Sequence, residues 1–400
     1  MTSAVPSPSL QINFDILGGD EERCGDYETY TLARFIFLMF SSTIAAAGTC
    51  GNLLLVYLFL TRRYPNTPPT LYPTVLAVLD TLMCTLYILL FGTDAAVVFL
   101  HVESLFILYH WYIIPAYVLS RITQLAIPYM LIFATLERFV WIAEAGHAVL
   151  KKMYSTRGRY IMMGVTLCVC ICLRLPTWWA TKVYEFPNCP DFFRTQSASA
   201  AEWVRESDVY YILDFHFLSI IQTVVPFFVL VIFNVIIVRR LTTAAKDKRA
   251  TTEEPKCRYS QQQMAPLSTP ESEENLPTAA LVHKNSTVRS QMSTSLKSAI
   301  YTMVAIVTSY IFSNSLHLCL TVLERSDSTL LKHPTDPNLA STFHTTFSDL
   351  VSFVYMFTSA IRILIYYKCN QAIRGDLKDI FIQNIQRWFT GHDKKDIVMV

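Results

Sequence analysis

The chain has 400 residues, 52% of them hydrophobic and 16% charged, with a mean hydropathy of +0.34. Soluble domains carry about 25% charged residues, so much of this apolar surface must face something other than water, and a bilayer accounts for it. A net charge of +2 excludes a global basic field for nucleic acid, and the composition excludes wholesale disorder, a collagen-like repeat and a disulfide-stapled mini-protein.

Seven stretches are long enough to cross, since about 20 apolar residues rising ~1.5 Å each span a ~30 Å hydrocarbon core. Phe35 to Thr61 carries no charge; Tyr64 to Thr93 holds only Asp80, Ser104 to Leu136 only Arg121, and Tyr160 to Thr181 only Arg174. Phe215 to Val238 and Ser298 to Leu323 are again charge-free, and a seventh, about Thr345 to Tyr367, contains Asp349 and Arg362. The expected fold is an all-α membrane protein, a seven-transmembrane helix bundle.

Basic residues outside the spans set the orientation. With the N-terminus outside, 24 of the 33 Lys and Arg fall on the cytoplasmic side, at Arg62 and Arg63, between Arg138 and Arg159, between Arg239 and Lys297, and from Arg362 onward. Residues 1–33 then form an extracellular segment, 34–367 the bundle and 368–400 a cytoplasmic end, in the plasma membrane. No apolar core preceded by positive charge occurs in the first 34 residues, so the first helix is expected to direct insertion without a cleaved leader.

The third cytoplasmic loop, 241–295, changes composition and reads as disordered. Its Ser268-Thr269-Pro270-Glu271-Ser272 run is either a regulatory phosphorylation segment or a solvated linker. Beyond the seventh span, Ile373, Leu377, Ile380, Phe381, Ile385, Trp388 and Phe389 recur at helical spacing, which predicts a short amphipathic cytoplasmic helix lying in the interface with membrane lipid. Cys369 just before it is a candidate for palmitate, with the plain thiol as the alternative.

Intramembrane polar groups are costly, so each is a functional candidate. Asn52 follows Gly51 in the first span, Asp80 sits in Leu76-Ala77-Val78-Leu79-Asp80, the third span ends in Glu137-Arg138-Phe139, and the fifth carries Pro226 and Asn234. In this order the motifs resemble the rhodopsin-like family of G-protein-coupled receptors, over about Phe35 to Phe389. The resemblance implies that Arg138 is the switching contact to the sixth helix and to a heterotrimeric G protein, with Phe139 in place of the family's Tyr. Physically, Glu137 beside Arg138 can hold the guanidinium in an ion pair and release it.

Three departures qualify the likeness. The sixth span reads Ile311-Phe312-Ser313-Asn314-Ser315 where the family has Cys-Trp-x-Pro; the seventh reads Arg362-Ile363-Leu364-Ile365-Tyr366, keeping only Tyr366 of Asn-Pro-x-x-Tyr; and the fourth lacks the central Trp. Asp80 matches the family's sodium-site aspartate, but Arg362 replaces a nearby Asn and Ile127 stands where a hydroxyl is expected, so an Asp80–Arg362 ion pair is expected instead of sodium. Of ten cysteines, Cys24 and Cys189 alone face the oxidising exterior; they are either bonded to each other or two free thiols.

In the outer half, Ser120, Arg121 and Gln124 on the third helix, with Arg174, Asp214, His216, Asn314, His317, Glu324 and Asp349 on the others, form a charged rim suited to a polar, peptide-sized ligand. The third helix offers no outer carboxylate for an amine, and the seventh span no lysine for retinal. The stretch Val307-Thr308-Ser309-Tyr310-Ile311-Phe312-Ser313-Asn314, with Tyr154-Ser155-Thr156-Arg157-Gly158-Arg159, is similar to nematode FMRFamide-like neuropeptide receptors. That likeness implies ligands ending in Arg-Phe-amide, whose guanidinium needs an acid, Glu324 first and then Asp214 or Asp349, while the phenyl ring needs an aromatic cleft.

Kinases and arrestin are expected partners through the third loop and tail. No His-x-x-x-His pair, Gly-rich phosphate loop or nucleophile elbow occurs, so neither an enzyme, a metal nor a cofactor is expected. The alternatives are a chemosensory or orphan receptor for a small molecule and, from another class, a multi-span transporter, which would show inverted repeats or midplane helix breaks.

Overall fold

A computed structural model describes residues 24–25, 30–62, 70–143, 152–261, 294–326, 329–331, 341–380 and 382. Six helices are long and apolar enough to cross a membrane: Leu32–Thr61, Leu71–Leu100, Glu103–Val140, Thr156–Ala180, Asp208–Thr243 and Lys297–Glu324. A seventh span is a bent pair, Thr342–Ala360 and Arg362–Cys369, meeting at 40°. The chain is a helical membrane bundle. Below, the N-side is the end where the first span starts, and the C-side the other.

The helices start where the sequence supplies caps. Thr31 accepts from the Arg34 N–H, Ser155 from Gly158 and Ser341 from His344, each satisfying an orphan donor of a first turn. Inside the bundle Leu76, Leu125, Met130, Leu230, Ile306 and Tyr310 are 2% exposed or less and form one apolar core. Large apolar side chains such as Leu60, Trp111, Phe228 and Phe312 stay on the outer surface, as lipid rather than water requires.

On the N-side the link between the fourth and fifth spans folds into a hairpin, β1 (Thr181–Glu185) antiparallel to β2 (Gln196–Ala200), with Thr181 opposite Ala200 and Glu185 opposite Gln196. The disulfide Cys24–Cys189 ties the chain's N-terminal segment to this hairpin's tip. Beside it Gly25 N–H bonds the Arg194 carbonyl at 2.9 Å, and Arg194 Nε returns a bond to the Gly25 carbonyl. A Cβ at position 25 would stand 3.0 Å from that Arg194 oxygen, so any larger residue there would press on the pairing.

Two expectations change. The fifth helix, as Val225–Gln261, continues well past the membrane, so residues 241–261 of the stretch read as disordered are helical; 262–293, with the Ser268 run, lie outside the described residues. The helix after the seventh span covers 371–380, its N-terminal N–H groups of Ala372 and Ile373 bonded to Asn370 Oδ1. Its Ile373 is 2% exposed and joins the bundle core, with Leu377 and Ile380 packed against it, so this apolar face meets protein rather than lipid. Phe381, Ile385, Trp388 and Phe389 lie outside the described residues.

Candidate functional site

A narrow cleft lies in the N-side half of the bundle. Its wall is Met83, Tyr87 and Phe91 of the second span and Val351 and Tyr355 of the seventh; its polar lining is Ser120, Gln124, Gln222, His317 and Ser352. The second span reaches it through a wide π-helical turn, Ile88–Gly92. Tyr87 is 1% exposed and lines the cleft, with Ser41 of the first span close to its hydroxyl.

A hydrogen-bonded chain runs behind this lining. Asp214 accepts from Arg174 at 2.7 Å and lies 3.6 Å from Arg121 Nη2, so one carboxylate serves two arginines. Arg174 donates to Gln222 Oε1, Gln222 Nε2 to Gln124 Oε1 at 3.4 Å, and Gln124 Nε2 to Ser120 Oγ at 3.3 Å. Because a guanidinium only donates, Arg174 fixes the direction of the whole chain and the orientation of both amides.

The rim is ion-paired too. Arg34 clasps Asp349 at 2.7 and 3.3 Å while stacking over the Tyr30 ring, and Tyr30 donates to Asp94 at 2.6 Å. His344 Nε2 stands 3.4 Å from Glu324 Oε1. Two of the three acids considered for a ligand guanidinium, Asp214 and Asp349, are therefore engaged by permanent cations of the chain itself. Glu324 faces the imidazole of His344, charged when protonated.

At mid-depth Arg362 Nη1 bonds Asp80 Oδ2, both side chains at most 2% exposed. Asn52 does not join this pair; its amide donates to the Gly48 and Ser359 carbonyls at 3.0 Å. The break of the seventh span thus forms without proline. Ile361 N–H bonds the Phe357 carbonyl at 2.9 Å and also turns to Ser359, whose carbonyl accepts from Asn52 Nδ2.

At the C-side the expected Glu137–Arg138 pair is not the one that forms. Glu137 Oε1 lies 2.6 Å from Arg159 Nε of the fourth span, a charge contact without aligned hydrogen bonding. Arg138 is 4% exposed with Nε and Nη1 unpartnered, and Tyr366 is 5% exposed with a bare hydroxyl and its ring edge-on to Phe59. The reason is register: neighbouring residues point about 100° apart round a helix, so Glu137 turns to the fourth span while Arg138 turns inward. Phe139 meets Phe233 of the fifth helix at 6.2 Å. Tyr154, in the loop before the fourth span, is 7% exposed, and burial pushes its phenol well up from the usual tyrosine range.

The structure brings Ser120, Gln124 and His317 to the cleft and Arg121, Arg174 and Asp214 into one cluster behind it, while Asn314 bonds the Thr223 carbonyl and Glu324 and Asp349 stay at the rim. Gln222, Tyr87, Phe91, Tyr355, Arg34 and Arg159 were missed by the sequence reading. Gln222 had a signal, a lone amide four residues before Pro226; the aromatic ones had none, since apolar helices are full of such rings.

Six apolar helices and a bent seventh pair, five of these spans lining the cleft, define a multi-pass helical membrane protein. No family model matches the chain. It is 26% identical over 212 residues to the FMRFamide receptor of Drosophila melanogaster, covering 52% of this chain and 37% of that protein, so the match spans little more than a third of the relative's length. Bundle and relative together fit a G-protein-coupled receptor.

Proposed function

We propose that the chain is a plasma-membrane receptor, N-terminus outside, that binds an amidated FMRFamide-like neuropeptide in the N-side cleft and activates a heterotrimeric G protein at Glu137, Arg138 and Tyr366. The observation that carries the reading is the cleft itself. Aromatic walls from Tyr87, Phe91 and Tyr355 beside neutral Gln and Ser donors suit a phenyl ring and a carboxamide, and the similar Drosophila protein is named for such a peptide. Glu324 is the acid for the ligand's guanidinium, because an arriving arginine meets there an imidazole rather than a permanent cation within ion-pair distance among the described residues. A receptor role leaves no catalytic task for the site. Kinases and arrestin would act on the third loop and tail.

The transporter reading draws support from the bent seventh span, but its break is closed by Asn52 and Ser359 within the protein and no inverted repeat accompanies it. Cells expressing the chain and challenged with FMRFamide and a panel of amidated peptides should answer in calcium or cyclic AMP, with the free-acid forms weaker. Silence to every amidated peptide, with a response to small odorants, would move the assignment to the chemosensory reading.

A further inference from the structure

The start of the seventh span is held by one serine. Ser341 Oγ accepts from the His344 N–H at 3.1 Å and donates to the Leu330 carbonyl at 2.6 Å, while the Ser341 N–H bonds the Leu331 carbonyl at 2.9 Å. Ser341 is buried, so this cap locks the first turn of the span to the short turn at Thr329–Leu331. His344 therefore hangs from a fixed backbone. Its Nε2 stands 3.4 Å from Glu324 Oε1 of the sixth span, and both side chains are largely withdrawn from water, 24% and 12% exposed. Screening of a charge between them is correspondingly weak.

The neighbouring elements bring few groups that change charge near neutral pH. Between the first and seventh spans Arg34 is clasped to Asp349, on the second Asp94 accepts from Tyr30, and on the third Arg121 stands 3.6 Å from Asp214 while the charge of Glu324 reaches it. The turn at Thr329–Leu331 carries no titratable side chain, and His317 of the sixth span lies deeper, in the cleft lining. Imidazole is the side chain whose charge ordinarily changes between pH 5 and 8. Neutral, His344 leaves Glu324 its negative charge to offer a guanidinium. Protonated, it pairs with that carboxylate itself, and with Arg121 also near, an arriving guanidinium meets an excess of positive charge. We propose that a proton on His344 competes with a cationic ligand for Glu324, so that binding at the rim depends on the acidity of the N-side solution. The competition is reciprocal: acid weakens the ligand's hold, and the ligand expels the proton. The inference rests on the receptor reading and adds to it the regulation of its guanidinium site.

The test uses the full chain and its His344→Gln, Glu324→Gln and His317→Gln variants, with labelled N-acetyl-FMRFamide, which has no titrating amine of its own, bound at about pH 7.5 and about pH 5.5, either side of the ordinary imidazole range. One proton displaced per peptide limits the change to about tenfold per pH unit. The wild type and His317→Gln are expected to bind at least about threefold more weakly at the lower pH, within that limit, and His344→Gln equally at both. Without ligand, the unfolding temperatures of the wild type, His344→Gln, Glu324→Gln and their double variant form a double-mutant cycle. Its coupling should be present at the lower pH and shrink at the higher, because the ion pair exists only with the proton in place. Equal affinity of the wild type at both pH values would overturn the proposal. So would an acid sensitivity that survives in His344→Gln, or a coupling that ignores pH. If the wild type binds no peptide at either pH, the receptor reading fails, and the cycle still decides whether His344 and Glu324 pair through a proton.

Discussion

Asp80 is fully buried in the second span, and among the described residues the guanidinium of Arg362 is its ionic partner. Removing one member of a buried pair strands the other at a cost of about 3–5 kcal/mol, whereas removing both together is far milder. Arg362→Met is therefore expected to lower the unfolding temperature of the purified protein sharply, and Asp80→Asn with Arg362→Met to recover most of the loss; equal losses in the two would show that the pair is not what Arg362 contributes. At the rim, His344→Lys gives Glu324 a permanent cation to satisfy it. FMRFamide potency should then fall about tenfold, the equivalent of ~1.4 kcal/mol of competition, and an unchanged dose–response curve would remove Glu324 from the ligand's contacts. The candidate residues were legible singly because charges in apolar helices stand out. Their partners were less so. Arg159 lies a loop away from Glu137, and Arg34 is far from Asp349 in sequence, so these pairings depend on packing that no local pattern encodes.

At the level of elements, the first span runs tight against the break of the seventh. A Cβ at Gly48 would lie 2.5 Å from the Ala360 side chain and 2.7 Å from its backbone, so Gly48→Ala forces these helices apart. Overpacking of that kind costs about 1–3 kcal/mol, and it should lower the unfolding temperature while Gly164→Ala, with nothing near its Cβ, does not. A second prediction concerns the N-side hairpin. Cys24→Ser, Cys189→Ser and the double variant should all weaken peptide binding to the same extent, because each breaks one and the same tie; additive losses would mean that the two cysteines act separately. The spans themselves were legible, since hydropathy is read along one dimension, and five of them begin or end within three residues of the expected limits, while the second and fifth are shifted or extended by five to seven. The bend at Ile361 was not, because no proline marks it and the groups that meet it, Asn52 on the Ser359 carbonyl and Arg362 on Asp80, lie across the bundle.

Over the whole molecule, charge is arranged as a sequence of neutralised pairs from one end to the other: Arg34–Asp349 at the rim, Arg174–Asp214 behind the cleft, Arg362–Asp80 at mid-depth and Arg159–Glu137 at the C-side. Arg138 stands apart among the described residues as a buried guanidinium with two unpartnered nitrogens. That placement is what a G protein would use on the account given above. The helix at 371–380, packed on the core through Ile373, closes the same end. The amphipathic pattern revealed that helix, but not which surface its apolar side covers, because lipid and protein interior make the same demand on sequence.

In the proposed receptor, peptide binding at one end drives nucleotide exchange at the other. Reconstituting the full chain and its Arg138→Ala variant in liposomes with purified G proteins, and reading nucleotide exchange alongside solute flux as FMRFamide is titrated, tests it most directly. The account predicts exchange that rises with peptide for the wild type, peptide binding without exchange for Arg138→Ala, and no flux in either. Peptide-dependent flux with no nucleotide exchange would contradict it.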